Sequence, residues 1–304
     1  MKADAVFEGG GVKGIGLVGA LSVAEEEGYD EWVNVAGTSA GAIVASLLAA
    51  GYSAGELKDL IMNLDYRKFR DKGIIDRIPY VGPLVSLWKE KGIYEGSYLY
   101  EWLSEKLERK EVSTFSDLRT DYEEDRYKYK LRVIAADISN RRMLVLPQDV
   151  TDIGGNPDDL SVAKAVRMSM SIPGFFEPVV RNNSFIVDGG LLSNFPVWLF
   201  DSQGEPSWPT FGFELVEKGS SISGVLSYAK EIFFTMMEAH DERYQEESQR
   251  VRTIGIDSCG VSTTDFDLKE KDRDRLFRSG RKAARDFFDD WDFEAYKKVY
   301  RNQV

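Results

Sequence analysis

Ser39 stands at the centre of Gly37-Thr38-Ser39-Ala40-Gly41, a Gly-x-Ser-x-Gly pentapeptide between the β-rich run Trp32–Ala36 and the apolar, helix-forming run Ala42–Leu48. In that strand-turn-helix setting a serine is raised on a sharp turn as a nucleophile. Glycine is expected at both flanks, because a Cβ at Gly37 or Gly41 would press on neighbouring backbone. A helix opening at Ala40 would aim its amide dipoles at the serine oxygen and at an anion forming beside it. The same letters also fit an ordinary turn in which Ser39 caps the helix.

Two further glycine-flanked segments supply what such a nucleophile needs. Gly9-Gly10-Gly11-Val12-Lys13-Gly14 follows the strand-like Ala5-Val6-Phe7-Glu8, and glycines there let backbone N–H groups approach a ligand. Acyl transfer develops negative charge on the carbonyl oxygen, and one placed donor stabilises that charge by about 3–4 kcal/mol. Gly10, Gly11 and Ala40 are the expected donors, with Gly9, Lys13 and Gly14 supporting the loop. Asp188-Gly189-Gly190 follows Phe185-Ile186-Val187 and places a carboxylate at a strand end. Within roughly 2.6–3.2 Å of the Ser39 hydroxyl it could take the proton directly.

Competing chemistries fit less well. Gly9, Gly11 and Gly14 spell Gly-x-Gly-x-x-Gly, but a dinucleotide site needs an acid ending the second strand, and Ala36-Gly37-Thr38-Ser39 occupies that place. A P-loop needs Gly-Lys-Ser/Thr, whereas Lys13 is followed by Gly14. The single histidine, His240, follows Ser39 and Asp188 in hydrolase-triad order, so a Ser39–Asp188–His240 triad stands beside the direct pair. No cofactor and no metal is called for, since no Cys/His cluster has ligand spacing; Asp265-Phe266-Asp267 reads as surface charge.

The elements that must position these residues alternate. Helical patterns cover 14–28, 40–51, 54–64, 96–109, 161–170, 222–249 and 270–290, and β-rich runs cover 3–8, 32–36, 130–137, 142–146, 184–187, 210–216 and 251–256. The alternation predicts an α/β fold, a mostly parallel central sheet with helices on both faces. With 304 residues and no linker, residues 1–304 are expected to form a single domain. Ser53-Ala54-Gly55-Glu56 predicts a capping box.

Taken together, the three motifs resemble the patatin-like phospholipase family over about residues 4–215, with 216–304 completing the domain. Gly9–Gly14 is similar to that family's oxyanion loop, Gly37–Gly41 to its nucleophile elbow and Asp188–Gly190 to its catalytic aspartate motif. Ser171-Ile172-Pro173-Gly174-Phe175-Phe176-Glu177-Pro178 and Asn194-Phe195-Pro196-Val197 resemble its flanking segments. The resemblance implies a three-layer sandwich related to the α/β hydrolases, a Ser39–Asp188 dyad that leaves out His240, and acyl-serine hydrolysis of phospholipid, lysophospholipid or neutral-lipid esters. A catalytically inactive lipid-binding protein and an acyltransferase share these features.

The net charge of −12 opposes nucleic acid and anionic surfaces as long-range partners. Residues 66–93 depart from it, with seven basic against three acidic residues among apolar side chains and Trp88. They are expected to form a lid or a peripheral membrane contact. One cysteine, Cys259, and a start without a long apolar core predict a soluble, cytoplasmic protein.

Overall fold

The computed structural model describes residues 1–70, 94–122, 124, 127–201, 204–216, 235, 250–263 and 265–301. His240, the helix expected at 222–249 apart from residue 235, and residues 71–93 lie outside them.

The chain opens with β1 (Lys2–Phe7), α1 (Gly14–Glu26), β2 (Glu31–Thr38), α2 (Ala40–Ala49) and α3 (Ala54–Met62). After α4 (Ser97–Glu108) come β3 (Leu131–Asp137), β4 (Arg142–Leu146), α5 (Val162–Ser169), β5 (Val179–Arg181) and β6 (Ser184–Asp188). The described chain ends with β7 (Thr210–Val216), β8 (Thr253–Asp257), α6 (Glu270–Phe288) and α7 (Phe293–Arg301). The short β5 and the final α7 are elements that periodicity did not mark.

The strands join in the order β5-β6-β3-β2-β1-β7-β8, with β4 also on β3. β3-β2-β1-β7-β8 are parallel, whereas β4, β5 and β6 run antiparallel to their neighbours. The sheet is therefore mixed: a parallel centre carrying an antiparallel extension. β1 and β2 are buried along almost their whole length, as parallel strands covered on both faces must be. Ala5, Phe7 and Val35 join the large core under the helices, while Val6 and Ala36 pack on the opposite face against Phe195, Val197 and Phe200. Period-two alternation thus sends neighbouring residues into two different layers.

Register brings two strand ends together. Thr38, the last residue of β2, lies opposite Ile134 of β3, and Asp188, the last residue of β6, lies opposite Ala135. β4 pairs with residues 133–137 of β3, so β2 and β6 share the other edge of β3 and meet end to end along it. The close α1–α6 crossing buttresses the arrangement: a Cβ on Gly280 would meet the Gly16 carbonyl oxygen at 1.9 Å, and one on Gly19 the Phe277 carbonyl oxygen at 2.2 Å. Arg281 joins the same helices, donating to Ser22 and Glu26 at 2.8 Å. The predicted capping box opens α3: Ser53 Oγ accepts from Glu56 N–H, and Glu56 Oε2 from Ser53 N–H.

Candidate active site

Ser39 joins β2 to α2 with φ 52° and ψ −124°, in the left-handed half of the map and strained for a residue with a side chain. It occupies the N-cap position of α2, yet its hydroxyl makes no capping bond. The capping alternative therefore does not describe it. The flanking glycines are sterically required. A Cβ on Gly37 would meet the Gly41 carbonyl oxygen at 2.4 Å, and one on Gly41 would meet the Phe7 carbonyl oxygen at 2.3 Å.

The turn is held from α5. Ser39 N–H donates to Ser169 Oγ at 2.9 Å, the Ser39 hydroxyl faces Met170 Sδ at 3.8 Å, and Asp188 N–H donates to the Ser171 carbonyl at 2.9 Å. Three consecutive residues at the end of one helix thus touch both candidate reacting groups. Buried Arg167 fixes this segment in turn, donating to Ser171 Oγ at 2.6 Å and to the carbonyls of Glu95 and Glu177 at 3.1 and 2.9 Å.

Asp188 is fully buried. Its Oδ1 accepts from Gly190 N–H at 2.8 Å, and its Oδ2 has no hydrogen-bond partner. Burial pushes the carboxyl up to about 7, while the Ser39 hydroxyl and the Gly190 amide hold it down. The hydroxyl is close enough to favour the carboxylate but is directed at the Met170 sulfur, so a full Ser39–Asp188 bond requires rotation of the serine side chain. Looser catalytic contacts before substrate binding are common. Gly189 lets the chain leave β6 against β3, where a Cβ would meet the Ile134 carbonyl oxygen at 2.2 Å.

The Gly9–Gly14 loop lies against the elbow, since a Cβ on Gly9 would come within 3.1 Å of Ser39 Cβ. Gly11 has φ +57° and stands against the Thr263 carbonyl oxygen, where a Cβ would come within 2.0 Å. Among the described residues, the N–H groups of Gly10, Gly11 and Ala40 donate to no acceptor. Glycine is not sterically demanded at Gly14, where a Cβ would find only Ala40 Cβ at an ordinary 3.6 Å. Lys13 is buried beside Gly10.

The loop has two supports whose contacts motif spelling did not give: Asn194, from the flanking segment Asn194–Val197, and Glu8. Asn194 accepts Gly9 N–H on its carbonyl at 3.2 Å and donates from its side chain to Glu8 Oε1 at 2.9 Å. Glu8 Oε2 accepts from Leu215 N–H, tying the loop to β7. Ser169 and Met170 were also missed; the sign was two hydroxyls and a thioether packed into the short segment before Ile172-Pro173-Gly174. His240 lies outside the described residues and has no geometry to report. Of 66–93, residues 66–70 are described: Tyr66 and Phe69 are buried, Arg67 and Lys68 are exposed, and Arg67 pairs with Asp65 and Arg70 with Asp267, each at 2.9 Å. No helix among the described residues is long and apolar enough to cross a membrane.

A mixed sheet with an elbow serine at the end of one strand and a buried aspartate at the end of another defines an α/β fold of the patatin-like type. The patatin-like phospholipase model matches residues 5–201, and the chain belongs to that family, whose chemistry is lipid hydrolysis. The Bacillus subtilis (strain 168) protein YqhO is 37% identical over 302 residues, covering 96% of this chain and 100% of its own. A protein of Invertebrate iridescent virus 6 named "Probable lipid hydrolase 463L" is 26% identical over 192 residues, 63% of this chain and 61% of that one. Among solved structures, VipD from Legionella pneumophila aligns with a TM-score of 0.57 at 19% identity, covering 95% of this chain. The type III effector protein ExoU of Pseudomonas aeruginosa aligns at 0.53 and 16%, covering 97%. This chain spans 66% and 53% of those two, and their likeness is one of fold.

Proposed function

We propose that the protein is a serine-dependent lipid acyl hydrolase of the phospholipase A or lysophospholipase type, working through a Ser39–Asp188 dyad. The observation that carries this reading is the strained, uncapped Ser39 beside a buried Asp188 whose second carboxylate oxygen lacks a partner. Asp188 takes the hydroxyl proton as Ser39 Oγ attacks the ester carbonyl carbon, and the resulting oxyanion is held by Gly10, Gly11 and Ala40 N–H. Collapse expels the alcohol, which takes the proton back from Asp188. Water, deprotonated by Asp188, then attacks the acyl-serine, and as the C–O bond to Ser39 breaks Asp188 returns the proton to Ser39 Oγ and the fatty acid leaves. Site, family and register favour the dyad over a triad through His240. The proposed setting is the cytoplasm, with acyl lipids as substrate partners, and the whole of 1–304 as one domain.

Intact-protein mass after a lipid-like fluorophosphonate tests the reading. Wild type is expected to gain one adduct and Ser39→Ala none. Folded wild type without an adduct would overturn the assignment of Ser39.

A further inference from the structure

Three large apolar side chains stand outside the core in one row on the antiparallel extension of the sheet. Val180 of β5 faces Phe185 of β6 in register, and Ile138, one residue past β3, donates its amide to the Phe185 carbonyl at 3.1 Å. Ile138, Phe185 and Val180 are 47%, 44% and 59% exposed. With neighbouring strands about 4.8 Å apart, the row is continuous. A single exposed apolar residue needs no explanation, whereas a contiguous group on a sheet edge does.

The row lies at a telling place. β6 and the end of β3 extend past the C-terminal ends of the parallel strands, where Ser39 sits, and Phe185 precedes Asp188 by three residues on one strand, about 10 Å. Its charge also departs from that of the chain. Arg141, in the turn between β3 and β4, is exposed and has no carboxylate partner among the described residues. Arg181, the next residue of β5, alternates to the other face of the sheet, where it donates to the carbonyls of Ile153 and Gly154 at 3.2 and 3.4 Å and so stands off the row. Asp137 is buried and engaged by Asn140, Ser184 and Arg142, and Asp152 pairs with Arg142 at 2.6 Å. One cation without a counter-ion among the described residues, Arg141, thus borders an apolar row on a chain of net charge −12.

We propose that Ile138, Phe185 and Val180, bordered by Arg141, form the surface on which the protein docks to an anionic lipid layer. The apolar side chains enter the acyl boundary and the Arg141 guanidinium meets headgroup phosphates. This surface differs from the 66–93 segment. Its use in catalysis rests on the lipid-hydrolase reading, although docking itself does not.

Co-sedimentation of Ser39→Ala protein with phosphatidylcholine vesicles containing phosphatidylglycerol tests the proposal without turnover. Adding Ile138→Ser, Val180→Ser and Phe185→Ser together is expected to weaken partitioning about tenfold or more. Arg141→Glu should lose the preference for anionic over pure phosphatidylcholine vesicles. Phe185→Ser alone, a single exposed change, should show an intermediate loss should the triple variant fail to fold. Unchanged partitioning of any folded variant overturns the proposal. So does sedimentation velocity showing a dimer that the triple variant dissolves, which would make the row an interface between copies. Hydrolysis of a soluble short-chain ester by the variants with Ser39 restored should stay unchanged. Its absence in wild type would count against the enzymatic reading and leave the docking result standing.

Discussion

In the proposed dyad Asp188 must be ionised to accept the serine proton, and its burial sets when that happens. With the carboxyl pushed up to about 7, ester hydrolysis is expected to fall about tenfold per pH unit on the acid side and to level off above neutrality. A pH–kcat/KM profile measures this, and a limb centred near 4 would mean a solvated carboxylate. On the same reading Ser169, which accepts from Ser39 N–H, acts through Ser39 as a positioning residue. Ser169→Ala removes the acceptor from a buried amide, at a cost of about 1–3 kcal/mol, and lets the elbow relax. We expect kcat on a soluble ester to drop roughly tenfold or more with KM little changed, and Ser169→Thr to restore part of it. A loss confined to melting temperature would reduce Ser169 to a structural role.

The glycines of the two loops divide into those the backbone path demands and those it does not. Gly41→Ala puts a Cβ into the Phe7 carbonyl and should destabilise by about 2 kcal/mol or more while abolishing fluorophosphonate labelling. Gly14→Ala meets only ordinary contact and should be neutral, or stabilise α1 by up to about 1 kcal/mol. Chemical melts and labelling of both variants separate the cases. The contrast also marks how far the sequence could be read. The elbow, the glycine loop and the aspartate turn carry local spelling, so Ser39, Gly10, Gly11 and Asp188 were legible from glycine spacing next to apolar runs. Ser169 and Met170 were not, and Asn194 was marked by resemblance but not by its contacts, because each serves the site through a contact between segments far apart in sequence, which no local period encodes. β5, only three residues long, fell below any pattern, and it is the antiparallel pairing of β4, β5 and β6 that makes the sheet mixed.

For the whole molecule, Asp188 links the site to global stability. The sign follows from its two states: unfolded, it loses its proton near 3.8; folded, near about 7. Between those values the unfolded chain binds fewer protons, so this residue's contribution falls as pH rises and levels off above about 7. Asp188→Asn should therefore be more stable than wild type at pH 8, by about 2–4 kcal/mol, with the gap closing toward pH 4; urea melts at the two pH values measure it. A reactive site maintained at the expense of stability is expected of a functional carboxylate. The end-to-end meeting of β2 and β6 on one edge of β3 has a further consequence during synthesis on the ribosome. The elbow serine emerges early, whereas Asp188, the proposed base, is synthesised only after β3, whose edge it joins. A nascent or prematurely terminated chain that stops before β6 carries the elbow serine without the aspartate that the proposed dyad requires, and is expected to be inert toward lipid esters.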